Sequence, residues 1–221
     1  MTGLCFACSF TKKKLQASQH ILLVRPSTFV FNEETASTNA FQQPPTENQE
    51  ALRAKAIGEF DFFAEKLMSE GVDVTVIEDS PYPVKPDAVF PNNWISFHED
   101  GTVVLYPMYA PNRRTERRPE VIDALKKKFD VRRVMDLSRH EDEGRILEGT
   151  GSIIFDRTNR VAYACLSPRT NKDLFTDTAE NLGYRAVYFN ARDRSGQAIY
   201  HTNVVMCVAE QFAVICLESI N

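Results

Sequence analysis

The sequence predicts an α/β fold built of repeated ββαβ modules, and three observations carry that expectation. Two hairpin patterns are each followed by a helical stretch and a further strand run. The strand pattern Ala162-Tyr163-Ala164-Cys165-Leu166 returns about 51 positions later as Ala213-Val214-Ile215-Cys216-Leu217, a period in the range of repeated supersecondary units. Helices that follow strands on one side favour a ring or propeller of small modules, sheets inward and helices outward, over a doubly wound sheet. The last hairpin begins a further unit and the chain stops inside that unit, so the ring is expected to be incomplete in this chain.

Residues 1 to 19 have little pattern and are expected to form a flexible extension, leaving 20 to 221 as the domain. His20-Ile21-Leu22-Leu23-Val24-Arg25-Pro26 reads as a strand closed by proline, and the polar stretch from Asn32 to Asn48 as a long loop of the kind that covers a functional site. Ala56, Ile57, Phe60, Phe63, Ala64 and Leu67 recur at helical spacing, with Gly71 placed to end that helix. The β-branched run Val72 to Ile77 is the next strand, and prolines 81, 83 and 86 lead out of it. Trp94 to Tyr106 then forms a hairpin turning at Glu99-Asp100-Gly101, followed by a helix to Phe129 and the strand Val131 to Met135. Ser152 to Leu166 repeats the hairpin, Lys172 to Leu182 the helix and Tyr184 to Phe189 the strand; Val204 to Leu217 opens a third unit. Cys165 and Cys216 hold equivalent strand positions and are expected to be buried.

The composition narrows the function. With 221 residues and 43% hydrophobic content the chain buries a real core, and a net charge of -4 with only short lysine runs argues against nucleic acid as a partner. No apolar window reaches membrane-span length, and the patch before Phe10 is followed by lysines, not preceded by them. A cytoplasmic protein is expected. Five cysteines, an odd number, fit reduced thiols, and Cys5-Phe6-Ala7-Cys8 has neither a second pair nor a neighbouring histidine to make a metal site.

Three stretches carry candidate chemistry, each just before a hairpin: Asn92-Asn93 within Pro86 to Trp94, Glu148-Gly149-Thr150-Gly151, and His201-Thr202-Asn203. Singly each has a plain reading, as a proline-asparagine turn, an exposed loop acid and a hydrogen-bonded strand-end histidine. Equivalent ends of repeated units converge in a ring, so a carboxylate, a histidine and several amides are expected to meet near one axis, as in an acid–base site. Gly149 and Gly151 are expected to let a ligand approach the backbone.

These stretches resemble the pentein, or guanidino-group-modifying, superfamily of arginine deiminases, dimethylarginine hydrolases and amidinotransferases, through Val24-Arg25-Pro26, Pro86 to Trp94, Leu147-Glu148-Gly149 and Tyr200 to Val204. The likeness covers about residues 20 to 220 and is strongest to the citrulline-hydrolase-like amidinotransferase branch. It implies a five-bladed α/β propeller in which a cysteine attacks the central carbon of a guanidino or ureido group, with no metal or organic cofactor. By the same resemblance His201 matches the catalytic histidine, Glu148 the acidic residue of the Glu-Gly-Gly-type motif, and Arg169 lies near an arginine that binds the substrate carboxylate. Asp87, Asn92, Asn93 and Asn203 fall among the substrate-binding positions, with Asn93 and Asn203 where arginine deiminases have aspartates.

Those two departures have a chemical reading. A ureido group is neutral, with a carbonyl acceptor and amide donors, so asparagine matches it where a guanidinium would require carboxylates. The small-molecule partner is therefore expected to be a ureido or guanidino amino acid. The family's nucleophilic cysteine has no counterpart in these 221 residues; Cys207, six positions after His201, sits in a hydrophobic strand run. Two functions follow: an amidinotransferase- or deiminase-like hydrolase whose full form supplies the thiol, or an inactive binding protein that keeps the pocket. An incomplete ring also exposes sheet edges, to be covered by a homo-oligomer or a further segment.

Overall fold

Two local chain breaks, each ending a helix on a glycine, set the frame of the domain. A computed structural model of the chain describes residues 15–36, 38, 39, 42–46 and 48–221, so Cys5 and Cys8 lie outside the described residues. Strand β1, His20–Arg25, is followed by the short helix α1, Glu33–Ala36, the long helix α2, Gln49–Ser69, and strand β2, Asp73–Glu78. Asn48 caps α2 by accepting from the Ala51 N–H at 2.8 Å. At its other end Gly71 has φ +83°, Gly71 N–H reaches Met68 O and Val72 N–H reaches Leu67 O, which closes the last turn and aims the chain into β2. The crossover through α2 makes β1 and β2 a parallel pair, His20 opposite Asp73.

The next two sheets share one plan. Strands β3, Ile95–Phe97, and β4, Thr102–Leu105, form an antiparallel hairpin; helix α3, Pro111–Arg114, and helix α4, Pro119–Lys128, lead to β5, Arg133–Asp136, which lies parallel to β4. After the short helix α5, Gly149–Ser152, strands β6, Ile154–Asp156, and β7, Val161–Cys165, repeat the hairpin. Helix α6, Lys172–Asn181, then leads to β8, Arg185–Phe189, parallel to β7. Asn171 caps α6 through Leu174 N–H, and Gly183 at φ +73° ends it with the same pair of bonds seen at Gly71. Last comes the hairpin of β9, Met206–Val208, and β10, Ala213–Ile215.

The middle strands β4 and β7 are buried along nearly their whole length, as expected for strands with neighbours on both sides. One core packs Val104, Tyr106, Ile153, Phe155 and Ala162 against Leu174, Phe175 and Ala179 of α6. A second packs Trp94, Ile95, Val103 and Leu105 against Val121 and Leu125 of α4. Inside the first hairpin His98 donates to or accepts from Ser96 Oγ, which meets the buried Tyr106 hydroxyl at 2.8 Å. Gln16, in the segment expected to be flexible, bonds to Phe155 O at 2.7 Å and receives the Arg157 N–H.

The expectation that Cys165 and Cys216 are both buried is met by Cys165 alone; Cys216 and Cys207 are exposed. β7 lies between β6 and β8, whereas β10 pairs only with β9 among the described strands, and every one of its residues is exposed. Equivalent hairpin position does not confer equivalent burial when the third strand is not there to cover it.

Candidate active site

The loops that precede the three hairpins meet. Pro91–Asn93 forms a single tight turn before β3, α5 precedes β6, and Thr202–Val204 forms another tight turn before β9. Gly149 has φ +45°, and a Cβ on it would lie 2.2 Å from Asn92 O; a Cβ at Gly151 would lie 2.4 Å from Asn93 Nδ2 and 2.8 Å from His201 Nδ1. These glycines therefore do not hold open a ligand's path to the backbone, as the sequence reading expects. The space left by their missing Cβ atoms is filled by the first loop and by the His201 ring, which is how three loops fit against one another. Thr202 Oγ1 fastens the third loop, donating to Ser152 O at 2.5 Å and accepting from Cys165 N–H at 2.8 Å.

At the centre His201 Nε2 meets Glu148 Oε2 at 2.7 Å, both groups buried. The plain readings of Glu148 as an exposed loop acid fails on this burial. The second oxygen of Glu148 accepts Tyr109 N–H at 3.0 Å, and Arg169 Nη1 lies 3.4 Å from Oε2. Burial opposes charge on Glu148, but the His201 bond and the nearby Arg169 and Arg113 guanidinium groups outweigh it and bring its pKa down to about 2. Burial also dominates at His201 and lowers it, against the upward pull of Glu148. A neutral imidazole with its Nε2 proton on a carboxylate leaves Nδ1 as a base, turned toward Gly151 and Asn93.

Asn93 is buried beside this pair, and its Oδ1 accepts from Arg113 Nη1 at 2.9 Å. Arg113 is in turn gripped by Glu116, Nε to Oε1 at 2.9 Å and Nη2 to Oε2 at 3.0 Å. Arg113 also reaches Phe90 O at 3.3 Å and lies 3.7 Å from Asp87 Oδ2, so it staples the whole Asp87 to Asn93 loop. Burial pushes Glu116 up to about 7 despite Arg113, and the acidic Asp87 and Glu148 push the same way. Sequence reasoning gives neither Arg113 nor Glu116 a role; an arginine and a glutamate three positions apart carry no signal of what they face.

Of the other expected residues, Asp87 is half-buried and accepts from Asn32 Nδ2 at 2.6 Å. Arg169 is buried, donates to Thr38 Oγ1 at 2.6 Å and lies 4.8 Å from the centroid of the Tyr200 ring, while its Nε has no partner among the described residues. Asn32 and Thr38, from the stretch expected to be a long loop, thus reach the cluster, while Glu33–Ala36 between them is helix α1. Asn92 contributes its backbone carbonyl, to Thr150 Oγ1 at 3.3 Å. Asn203 is exposed and makes no hydrogen bond among the described residues, so the structure does not bring it into the cluster. Neither is any described cysteine bonded to His201 or Glu148; Cys165 Sγ donates to Ile199 O. Among the described residues no three His, Cys, Asp or Glu side chains could hold a metal ion, and no helix is long and apolar enough to cross a membrane.

Solved structures with this fold set its class. The N-terminal domain of ArgZ, caught covalently bonded to a reaction intermediate, superposes with a TM-score of 0.71 at 18% identity, over 91% of this chain and 68% of that one. ArgZ is an arginine dihydrolase from the ornithine-ammonia cycle in Cyanobacteria, and this chain spans 28% of its full-length apo structure. A dimethylarginine dimethylaminohydrolase bound to 4-chloro-2-hydroxymethylpyridine superposes at 0.59 and 17% identity, over 89% of this chain and 68% of that one. The fold is that of the pentein superfamily, on its arginine deiminase and dimethylarginine hydrolase side. Residues 25–221 match the family model of eukaryotic N,N-dimethylarginine dimethylhydrolase, and the chain belongs to that family. No curated protein sequence matches it.

Proposed function

We propose that this chain forms the acid–base and substrate-binding part of a hydrolase that cleaves a C–N bond of a guanidino or ureido amino acid. The buried Glu148–His201 pair carries this reading: a lowered carboxylate holds a neutral imidazole whose free nitrogen faces Asn93. Members of this class act on arginine-type head groups, and Arg169, buried with an unpartnered Nε, has a donor available for a substrate carboxylate. In the reaction His201 takes the proton of the attacking thiol, the thiolate adds to the central carbon of the head group, and the imidazolium so formed gives that proton to the departing amine as the C–N bond breaks. His201 then takes a proton from water, which attacks the same carbon and releases the thiolate. The thiol is assigned to none of the described cysteines, because Cys165, Cys207 and Cys216 make no bond to His201 or Glu148.

A second reading is an inactive binding protein that retains the pocket. It is favoured by one observation, the lack of any described cysteine bonded to His201 or Glu148. Release of ammonia or dimethylamine from arginine, citrulline and N,N-dimethylarginine separates the two. The hydrolase reading expects product from the natural protein and none from its His201→Ala variant. Binding without product favours the second reading, and binding of none of the three contradicts both.

A further inference from the structure

The Tyr109 N–H that meets Glu148 belongs to a stretch that has left the sheet. β4 ends at Leu105, and from Tyr106 to Tyr109 the backbone polar groups find separate partners in turn. Tyr106 O accepts from Arg117 Nη1 at 3.1 Å, Pro107 O from Leu147 N–H at 3.3 Å and Met108 O from Arg114 Nε at 3.2 Å. Met108 N–H donates to Glu141 Oε1 at 2.7 Å, and the next N–H, that of Tyr109, donates to Glu148 Oε1 at 3.0 Å. Glu141 stands in the tight turn Ser138–Glu141 after β5, with its side chain only 8% exposed. It also takes Arg117 through Nη1 at 2.6 Å and Nη2 at 2.9 Å, and lies 3.4 Å from Arg114 Nε. The anchors at Tyr106 O, Met108 N–H and Met108 O therefore all lead to one carboxylate. The Met108–Tyr109 peptide matters most, because it is planar: a carbonyl held by Arg114 fixes the direction in which the N–H meets Glu148. With Oε1 on that N–H, Oε2 is the oxygen that serves His201 and Arg169. If the N–H turned away, the buried Glu148 carboxylate would lose the partner of Oε1 and rotate to share the donors at Oε2.

Resting on the functional reading above, we propose that Glu141 is a positioning residue for the acid–base pair: through Met108, Arg114 and Arg117 it sets the Met108–Tyr109 peptide so that Glu148 keeps one oxygen on a backbone N–H and presents the other to His201. Glu141 makes no bond to Glu148 or His201 among the described residues and acts through the backbone between them. One turn of α3 serves both sides of the site, Arg113 holding Asn93 and Arg114 holding Met108.

The first part of the test needs no ligand. Amide hydrogen exchange and carbon-13 titration of the Glu148 carboxyl are followed in the wild-type chain and in Glu141→Ala and Glu141→Gln, the second of which keeps an oxygen for Met108 N–H but no charge for the arginines. In Glu141→Ala the Tyr109 amide is expected to exchange about tenfold faster, and Glu148 to become about a tenfold weaker acid, the scale of one lost hydrogen bond to a charged group. The Leu174 amide, bonded to Asn171 at the start of α6, is expected to exchange as in the wild type. Glu141→Gln should shift Tyr109 and Glu148 in the same direction by less, and it carries the test if Glu141→Ala does not fold. A Tyr109 amide as protected as in the wild type, a Glu148 that still titrates at about 2, or equal acceleration of the Tyr109 and Leu174 amides would overturn the inference. The second part is turnover of arginine, citrulline and N,N-dimethylarginine by the natural protein, where Glu141→Gln is expected to lower kcat by about tenfold and leave KM within about twofold, since it touches no substrate. A raised KM at constant kcat would overturn the inference. If the Tyr109 and Glu148 changes appear and the wild-type natural protein turns over none of the three, the positioning role stands and the functional reading fails.

Discussion

Two buried carboxylate–arginine pairs lie on either side of Asn93, built of the same residue types and set to opposite purposes. The Glu116 carboxylate grips Arg113 through two bonds of about ordinary length and has no other hydrogen-bond partner among the described residues. Glu148 lies 3.4 Å from Arg169, shares the same oxygen with His201 and gives its other oxygen to a backbone N–H. The closed pair ends with a carboxyl pushed up to about 7 by burial, and the shared one with a carboxyl pulled down to about 2. The difference is the number of positive and donor groups each carboxylate faces, and under the proposed function it separates a scaffold from a reacting centre.

The largest effect expected from breaking this comparison is on stability. Glu116→Ala leaves Arg113 buried without its bonded carboxylate, with Asp87 3.7 Å away and the more distant Glu148 as counter-charges, and should cost about 3–5 kcal/mol, read from the denaturant midpoint. Glu148→Ala should cost less, because Arg169 keeps Thr38 and the Tyr200 ring, yet it should abolish turnover in the full-length protein where Glu116→Ala lowers it. If Glu148→Ala proves the more destabilising of the two, the assignment of scaffold and reacting centre is wrong.

Acid titration sharpens the contrast, because the two carboxyls contribute with opposite sign. Glu116, raised in the folded state, favours the protonated fold, so its contribution to stability grows as pH falls from about 7 to the ordinary glutamate value. Glu148, lowered, stabilises the charged fold above that ordinary value and loses its contribution as pH falls toward about 2. Glu116→Gln should therefore steepen the loss of stability between neutrality and mild acid relative to wild type, and Glu148→Gln should flatten it at lower pH. Chemical denaturation across pH gives both slopes.

Gly151→Ala comes next. Its Cβ would enter the space between Asn93 Nδ2 and His201, and the crowding should cost about 1–3 kcal/mol while separating the two halves of the site, seen as lost ligand binding in a folded chain. The smallest effect is expected at Asn203: exposed and unbonded, its replacement by alanine should change stability by no more than about 0.5 kcal/mol. A change in ligand affinity at constant stability would assign it to substrate; no change in either would remove it from the site.

The meeting of Glu148, His201 and Asn93 was legible in the sequence and the Arg113–Glu116 pair was not, for physical reasons. Glu148, His201 and Asn93 stand at equivalent ends of similar hairpins, so chain order alone brings them together, and strand runs with N-cap asparagines and terminal glycines mark the elements that carry them. Arg113 bonds to a side chain 20 positions away and Arg169 to Thr38 across 131, and no local period encodes either. The glycines were recognised as unusual but misread, since a sequence shows that a Cβ is missing and not what fills its place. Cys216 was misplaced because burial of β10 depends on a neighbouring strand, which the likeness of one hairpin to another does not supply.

A titration of the glutamate side-chain carboxyls by carbon-13 resonance, in the folded chain with and without N,N-dimethylarginine or citrulline, tests the division most directly. Glu116 should titrate about 7 and stay unmoved by ligand, while Glu148 remains charged down to about 2 and its resonance shifts when ligand binds. Two carboxyls that both titrate at the ordinary glutamate value, or a ligand that moves Glu116 and leaves Glu148 untouched, would contradict the account.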